Sequence, residues 1–596
     1  MNTRTKTGLE ILQVAAVVGI LGDVLLRATP WGLNVTLFNI AFAGGMILLL
    51  WRRAPEFLTR QTVALFGALI FFASMFSWRD STELLIADGF AIIAILSILF
   101  VPRMKIATQV AGVFQYAVAF LWSSANALFA PFALFFNDVE WSTVPKAGGT
   151  RHLIAVLRGV AIVAPILLIF GALFMAADAV YAGLVERIFN ILPETVVTHI
   201  LLTAVFAWLS AGYLRGVLIR NLDPIGAASN GEKTAAEPAV QTTKAGETPP
   251  HLPNNLSILE HINISDPPNE PEPPTADEPP KAEPKKWDWA AFDNTLLPAG
   301  FTLGKVEIGI ILGLINLLFL SFVIVQVPYL FGGMDLVQNT PDFKLAEYAR
   351  RGFGELVAVS ALVLPILLAS HWLIRKEKIA ENMFRILAGI QIALLFVIMA
   401  SAVQRLVLLT GNLGYGMTTI RLYPLIFMSW LAIVFVWFGI TVLRGSRQHF
   451  AWGALWSAFL ILGATHILNP DAFIVRTNIA LMQQGRDFDA VYNSRLSDDA
   501  IPVLIDTLER LSPDAQRRVA RRLADRYISS KCEGDLRSWN LSRRRTQELL
   551  SSNIDLINEI EAFAAIETKN HRRGYDDIDP ADGRCGRRFG DNGEID

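Results

Sequence analysis

The sequence is poor in cysteine and in charge, and it lacks every short catalytic motif of recognised spacing. Only two of its 596 residues are cysteines, Cys532 and Cys585. That excludes a disulfide scaffold and any multi-cysteine zinc or iron–sulfur centre. Both lie near the C-terminus, so one disulfide stays open if that end meets an oxidising compartment. No H-E-x-x-H, G-x-S-x-G or paired C-x-x-C spacing occurs, and the eight histidines are scattered singly. An enzyme therefore has no motif to stand on, and neither a metal nor a cofactor is expected. Charged residues make up 18% of the chain, against roughly a quarter in soluble domains. The 52 Lys+Arg nearly cancel the 54 Asp+Glu, so a globally polybasic nucleic-acid binder is excluded and no nucleic-acid partner is expected.

What the chain has in excess is apolar sequence, with 53% hydrophobic residues and a mean hydropathy of +0.41. Apolar windows fall near 9–27, 32–51, 62–78, 84–101, 107–130, 154–178, 196–218, 306–327, 353–374, 384–409, 422–443 and 450–468. At about 1.5 Å rise per residue each window can cross a hydrocarbon core of about 30 Å. The expected fold is all-α: a polytopic transmembrane helical bundle of about twelve spans, with a long disordered linker and a small helical C-terminal soluble domain. The short basic N-terminus before Leu9 resembles a signal peptide, but no A-x-A-type site follows Leu26. Leu9 to Leu26 is therefore read as a retained first helix.

Residues 221–294 break the pattern, holding 13 of the 29 prolines, 13 acidic residues and 5 lysines. Such a composition cannot bury enough apolar surface to offset chain entropy, which predicts a disordered acidic linker. Trp287 and Trp289 at its end suit an interfacial anchor. The expected domains are a seven-helix membrane bundle (1–220), the linker (221–294), a five-helix bundle (295–468), a soluble helical domain (469–568) and a disordered tail (569–596). Ile501, Leu504, Ile505, Leu508 and Leu511 repeat at helical spacing, and Ser512-Pro513-Asp514 reads as a helix start. No internal repeat supports an inverted duplication.

The orientation signals conflict. Arg4 and Lys6, Arg52, Arg53 and Arg60, and Arg103 and Lys105 place the N-terminus inside, and seven spans then put the linker outside. Arg375, Lys376 and Lys378, with Arg444 and Arg447, put the linker inside. A miscounted or re-entrant span would reconcile them, and the amphipathic stretch Tyr181 to Ile191 is a candidate.

Ionisable groups inside spans are costly, roughly 2.5–3.5 kcal/mol each, and so mark candidate sites. Asp23, Asp88 and Glu355 are candidates for a polar pathway. His199, Glu307, Glu355, His371, Arg385 and His466 sit near span ends, and for Glu307, Arg385 and His466 snorkelling is the plainer reading. Arg350 and Arg351, just before a span, suit an anion or lipid headgroup, or an i,i+4 anchor with Glu355. Arg517, Arg518, Arg521, Arg522 and Arg526 form one helical face, read as a solvated, membrane-surface or partner-facing stripe. Gly309 and Gly313 form a G-x-x-x-G pair, a weak packing signal. Residues 300–305, GFTLGK, lack the spacing and the Ser/Thr of a phosphate loop.

Three polar phrases carry a resemblance: YARRGFGEL (348–356), NPDAFIVRTNIALMQQGRDFDAVYNSRLSDDAIPVL (469–504) and LRSWNLSRRR (536–545). Together they resemble the bacterial multi-span family known as domain of unknown function 4173, with its relative 4153. The resemblance covers most of the chain outside the linker, which looks like an insertion. It implies an integral protein of the bacterial inner membrane and supplies no activity or catalytic residues. Three readings follow. The first is a non-enzymatic envelope protein, with lipids around it and a protein partner sensed or docked through 469–568. The second is a transporter or channel. The third is an envelope enzyme on lipid-linked substrates.

Overall fold

The computed structural model describes residues 2–141, 143, 194–219, 302–331, 345–375, 377–407, 410–411, 416–531 and 535–567. The expected span at 154–178, the stretch Tyr181 to Ile191, the linker 221–294, both cysteines and the 569–596 tail lie outside the described residues. Among the described residues there is no strand, and one isolated bridge joins Leu303 to Ile374.

Among the described residues eleven helices are long and apolar enough to cross a membrane by length and composition, matching eleven of the twelve expected windows. The membrane helices are α1 (Thr3–Leu26), α2 (Leu33–Arg53), α3 (Arg60–Trp78), α4 (Thr82–Ile98), α5 (Val113–Ala133) and α6 (Glu194–Leu218). They continue with α7 (Lys305–Phe331), α8 (Leu345–Leu373), α9 (Lys378–Val407), α10 (Thr419–Thr441) and α11 (Phe450–Leu468). Six further helices follow: α12 (Pro470–Gln483), α13 (Ala490–Arg495), α14 (Ile501–Thr507), α15 (Pro513–Lys531), α16 (Leu541–Ser552) and α17 (Ile554–Glu567). The start of α15 at Pro513 agrees with the Ser-Pro-Asp signal.

Small residues set how closely the first helices approach. A Cβ on Gly19 would lie 2.7 Å from the Thr203 carbonyl, and one on Gly22 would strike Phe206. So α1 and α6 meet nearly backbone to backbone, as small-residue faces permit in a bilayer. Gly309 likewise faces Met383 of α9, whereas Gly313 faces open space. Only half of the G-x-x-x-G pair therefore makes a helix contact.

Three apolar cores form. The first joins α1–α6, with Ala119 of α5 among its buried residues, and it takes in Phe459 and, at its edge, Trp452, Leu455 and Trp456 of α11. The second joins α7–α10. The third is the C-terminal domain, whose Ile474, Leu504, Val519, Leu550 and Ile557 pack with Met417 and Leu422 from the start of α10. The last membrane helix thus reaches from the second half of the sequence into the first core.

Cross-contacts fix which helix ends lie together. Thr36 donates to the Ala73 carbonyl (2.7 Å), and Asp88 meets His466, so α1, α3 and α11 finish, and α2 and α4 start, at one end. The C-terminal domain sits there, and this is the tail end. At the opposite end Arg103 stacks on Phe57 (4.1 Å) and Leu303 N–H donates to the Leu373 carbonyl (2.8 Å). Arg444, Arg375 and Arg53 are at that end too, so it is the basic end.

The helix α5 does not run between these ends. Its first residues follow Thr108–Val110, which pack near the start of α11 beside Arg447–His449. At its middle, Asn126 lies against Gly216 near Phe100. Asp138, at its close, is ion-paired with Arg4 (2.6 Å) and Arg215. Beginning, middle and finish all lie toward the basic end, with Leu128 and Phe132 reaching Trp208 farther along α6, although its length and hydropathy alone suggest a fifth crossing.

Candidate functional site

The polar residues of the tail end converge where three distant stretches of sequence meet. The α3–α4 connection supplies Arg79, Asp80 and Ser81; the end of α11 supplies His466; the C-terminal domain supplies Asp471, Asp498, Asp499, Arg526, Asn540 and Arg543. Asp499 is the centre. Its carboxylate accepts from the Asp80 N–H (2.8 Å) and the Ser81 N–H (3.1 Å), the free amides ahead of α4. A carboxylate there also complements the positive end of the helix dipole. Its other oxygen pairs with Arg79 at 3.1 Å. Arg79 in turn donates through Nε (3.0 Å) and Nη2 (2.6 Å) to the His466 carbonyl.

Asn540 closes two helices at once. Its side-chain oxygen accepts from Ser542 N–H (2.9 Å) and Arg543 N–H (3.1 Å), capping α16. Its amide donates to the Phe76 and Arg79 carbonyls, both at 2.8 Å, at the end of α3. Beside it the Leu33 N–H donates to the Trp539 carbonyl (2.8 Å). A Cβ on Gly32 would lie 2.5 Å from that same oxygen, so only glycine fits at the contact.

Four carboxylates, Asp80, Asp471, Asp498 and Asp499, are gathered against three guanidiniums. Asp498 pairs with Arg526 at 2.7 Å and Asp80 faces Arg543 at 3.5 Å. Asp471 accepts from the Ser497 N–H (3.2 Å) and hydroxyl. This balance leaves negative charge in a desolvated site. Burial, reinforced by the neighbouring Asp498, pushes the Asp80 carboxyl up to about 7. Burial likewise raises Asp471 to about 6 and moves Asp498 upward. The joint can therefore exchange protons near neutrality.

Directly beneath, inside the bundle, Asp88 and His466 form a fully buried pair at 2.9 Å. Among the described residues, the second carboxylate oxygen of Asp88 and the Nδ1 of His466 have no hydrogen-bond partner. His466 thus links the two levels: its carbonyl holds Arg79 and its ring holds Asp88.

The structure does not bring the expected polar pathway together. Asp23 is buried between α1 and α6, held by Arg27 (3.1 Å) and His199. Asp88 belongs to the α4–α11 contact, and Glu355 is exposed on α8 in the other bundle. The side chains of Arg350 and Arg351 lie outside the described residues. The arginine stripe also divides. Arg518, Arg521 and Arg522 are exposed, Arg517 pairs with Asp514 (2.6 Å), and Arg526 turns inward to Asp498. His371 packs its ring against Phe384 and Arg385 lies 4.0 Å from Glu381, both ordinary span-end contacts. Hydropathy could not single out Arg79, Asp80 or Asp499, which sit in connections. For Asp499 the signal was the polar content of 469–504 and 536–545, whose residues Asp471, Asp498, Asp499, Asn540 and Arg543 now line the joint; no signal pointed to Arg79 or Asp80. Among the described residues no group of three His, Cys, Asp or Glu side chains could hold a metal ion.

The family model described as "Domain of unknown function (DUF4153)" matches residues 66–248 and 265–507. The match includes Arg79, Asp80, Asp88, His466, Asp471, Asp498 and Asp499, and it runs into the expected linker from both sides, leaving out 249–264. No curated protein and no solved structure matches.

Proposed function

The chain belongs to the DUF4153 family and is a multi-pass membrane protein, and from that premise we propose that it is a non-enzymatic protein of the bacterial inner membrane. Its C-terminal domain senses or docks a partner and passes the event to the bundle through the acid–arginine joint. Kinship with the 4173 family is part of the same proposal. The observation that carries it is the Arg79–Asp499 contact with the amides ahead of α4, which ties the domain to the first bundle rather than leaving it hanging from α11. The exposed Arg518, Arg521 and Arg522 supply a face for an acidic partner.

The test compares cross-linked partners and phenotype for wild type, Arg79→Ala, the triple change of Arg518, Arg521 and Arg522 to Ala, and deletion of 469–596. The triple variant is expected to lose partner recovery with the joint intact, and Arg79→Ala to keep partner recovery yet reproduce the deletion phenotype. A deletion that changes neither partners nor phenotype sinks the proposal.

A second reading, proton-coupled transport, is favoured by the Asp88–His466 pair, because an ionisable pair within a bundle is a usual element of a proton relay. Asp88→Asn in proteoliposomes is expected to abolish proton-coupled flux. Wild-type vesicles no leakier than empty ones would remove this reading.

A further inference from the structure

The position of α5 carries a consequence for the whole topology. Three independent contacts keep it at the basic end: the 108–110 turn near Arg447–His449, Asn126 against Gly216, and Asp138 with Arg4 and Arg215. One face of α5 buries Ala119, Ser123, Asn126, Ala130 and Pro131 against the bundle. The other exposes large apolar side chains, with Leu121 66% and Phe129 67% accessible beside Phe120, Trp122 and Leu128. A helix that lies across the end of a membrane bundle with an aromatic, aliphatic outer face has the features of an interfacial helix.

Charge says which surface this is. In the first half Arg52, Arg53, Arg60, Arg103 and Lys105 lie at the basic end. In the second half Arg375, Lys378, Arg444 and Arg447 lie there too. The described connections at the tail end carry Arg27 and Arg79, each paired with an aspartate, and Arg405 and Arg421 flank the α9–α10 connection there. Counting α5 as a crossing set the two halves of the sequence against each other. With α5 lying across one end, Ile219 and Thr302, which flank 220–301, share the basic end. The clusters that conflicted, Arg52, Arg53 and Arg60, Arg103 and Lys105, Arg375 and Lys378, and Arg444 and Arg447, then fall on one side, whereas Arg350 and Arg351 at the start of α8 and the arginines of α15 lie toward the tail end. The excess of Lys and Arg marks the cytoplasmic face.

We propose that α5 rests on the cytoplasmic leaflet of the membrane with its apolar face in lipid, and that the C-terminal domain stands on the opposite, extracytoplasmic side. The partner at this surface is the lipid itself. The inference is independent of the function proposed above.

Two measurements on the full chain test it, both in a background with Cys532 and Cys585 changed to Ser. For sidedness, Glu56→Cys and Ser551→Cys are treated with a membrane-impermeant maleimide in intact spheroplasts and again after permeabilisation. Ser551→Cys is expected to label in both conditions and Glu56→Cys only after permeabilisation. Labelling of Glu56→Cys in intact spheroplasts, or protection of Ser551→Cys, overturns the proposal. For the lie of α5, nitroxides at Leu121→Cys and Leu128→Cys are compared in phosphatidylglycerol–phosphatidylethanolamine proteoliposomes, by their relative collision with oxygen and with a water-soluble nickel complex. A crossing helix separates these sites in depth by about 10 Å. Equal, shallow depths are expected, and a depth difference of that size overturns the proposal.

Discussion

The two ends of the first bundle solve the same problem, a buried charge, in different ways. At the basic end Asp138 is wholly buried and enclosed by Arg215 and Arg4, one carboxylate between two guanidiniums. At the tail end four carboxylates share three guanidiniums. The former is overcompensated, an electrostatic clamp that fixes α5, α6 and the start of α1. The latter is undercompensated, so its structure depends on where protons reside. A clamp resists change in its surroundings, whereas a joint short of positive charge responds to pH and to anything that supplies a proton or a cation.

Removing one partner from either arrangement is expected to be costly, and the reach of the damage separates them. Arg215→Ala leaves Asp138 buried beside one half-exposed arginine. Loss of one partner of a buried pair costs on the order of 3–5 kcal/mol, and a collapse of folded yield in detergent is the expected readout. Arg79→Ala should fall in the same range but act locally. It frees Asp499 and the His466 carbonyl, so hydrogen exchange should rise in α12–α16 while α7–α10 stay protected. Uniform exchange across both bundles would show that the joint is not a separate unit.

Next in size is the pH effect. A carboxyl whose folded value lies above its unfolded value is protonated preferentially in the folded protein. Its contribution is full at low pH and is lost as pH rises from about 4 through the folded values of about 6 for Asp471 and about 7 for Asp80. The melting temperature of the C-terminal domain should therefore fall between pH 5.5 and 8. Asp80→Asn should flatten that fall while still accepting from the Asp498 N–H. A profile that rises over the same window would contradict the charge balance described here.

Smaller still is Gly32→Ala, expected to cost about 1–3 kcal/mol by overpacking against the Trp539 carbonyl, seen as easier proteolytic release of 535–567. The smallest effect belongs to the exposed Glu381–Arg385 pair. Arg385→Ala should change stability by about 0–1 kcal/mol and serves as the control for the arginine substitutions.

The second bundle sharpens the contrast from another direction. Apart from Arg405 near the end of α9, its described buried polar groups are neutral, with Ser360 bonded to the Leu356 carbonyl (2.8 Å) and Asn316 to the Leu387 carbonyl (2.9 Å). The first stays within α8 and the second joins α7 to α9, and neither adds a titrating group. Reading the spans for charged residues gave equal weight to Glu355 there and to Asp88 in the first bundle. Sequence spacing does not tell an exposed glutamate from a buried aspartate, because the distinction lies in which helix is opposite.

The sequence by itself determined the class of protein, the windows that become helices and the start of α15 at Pro513. Hydropathy, proline placement and capping are local properties that a bilayer or a helix end reads directly. The polar phrases in 469–504 and 536–545 also showed where specificity lay, since partitioning into lipid does not require them. Tertiary structure alone decided that Arg526 leaves its stripe for Asp498, that His466 meets Asp88 from 378 residues away, and that α5 lies across one end instead of crossing. In each case the outcome depends on a partner distant in sequence: a charge finds its counter-charge, and an apolar helix finds either lipid core or interface, according to what already occupies the space beside it.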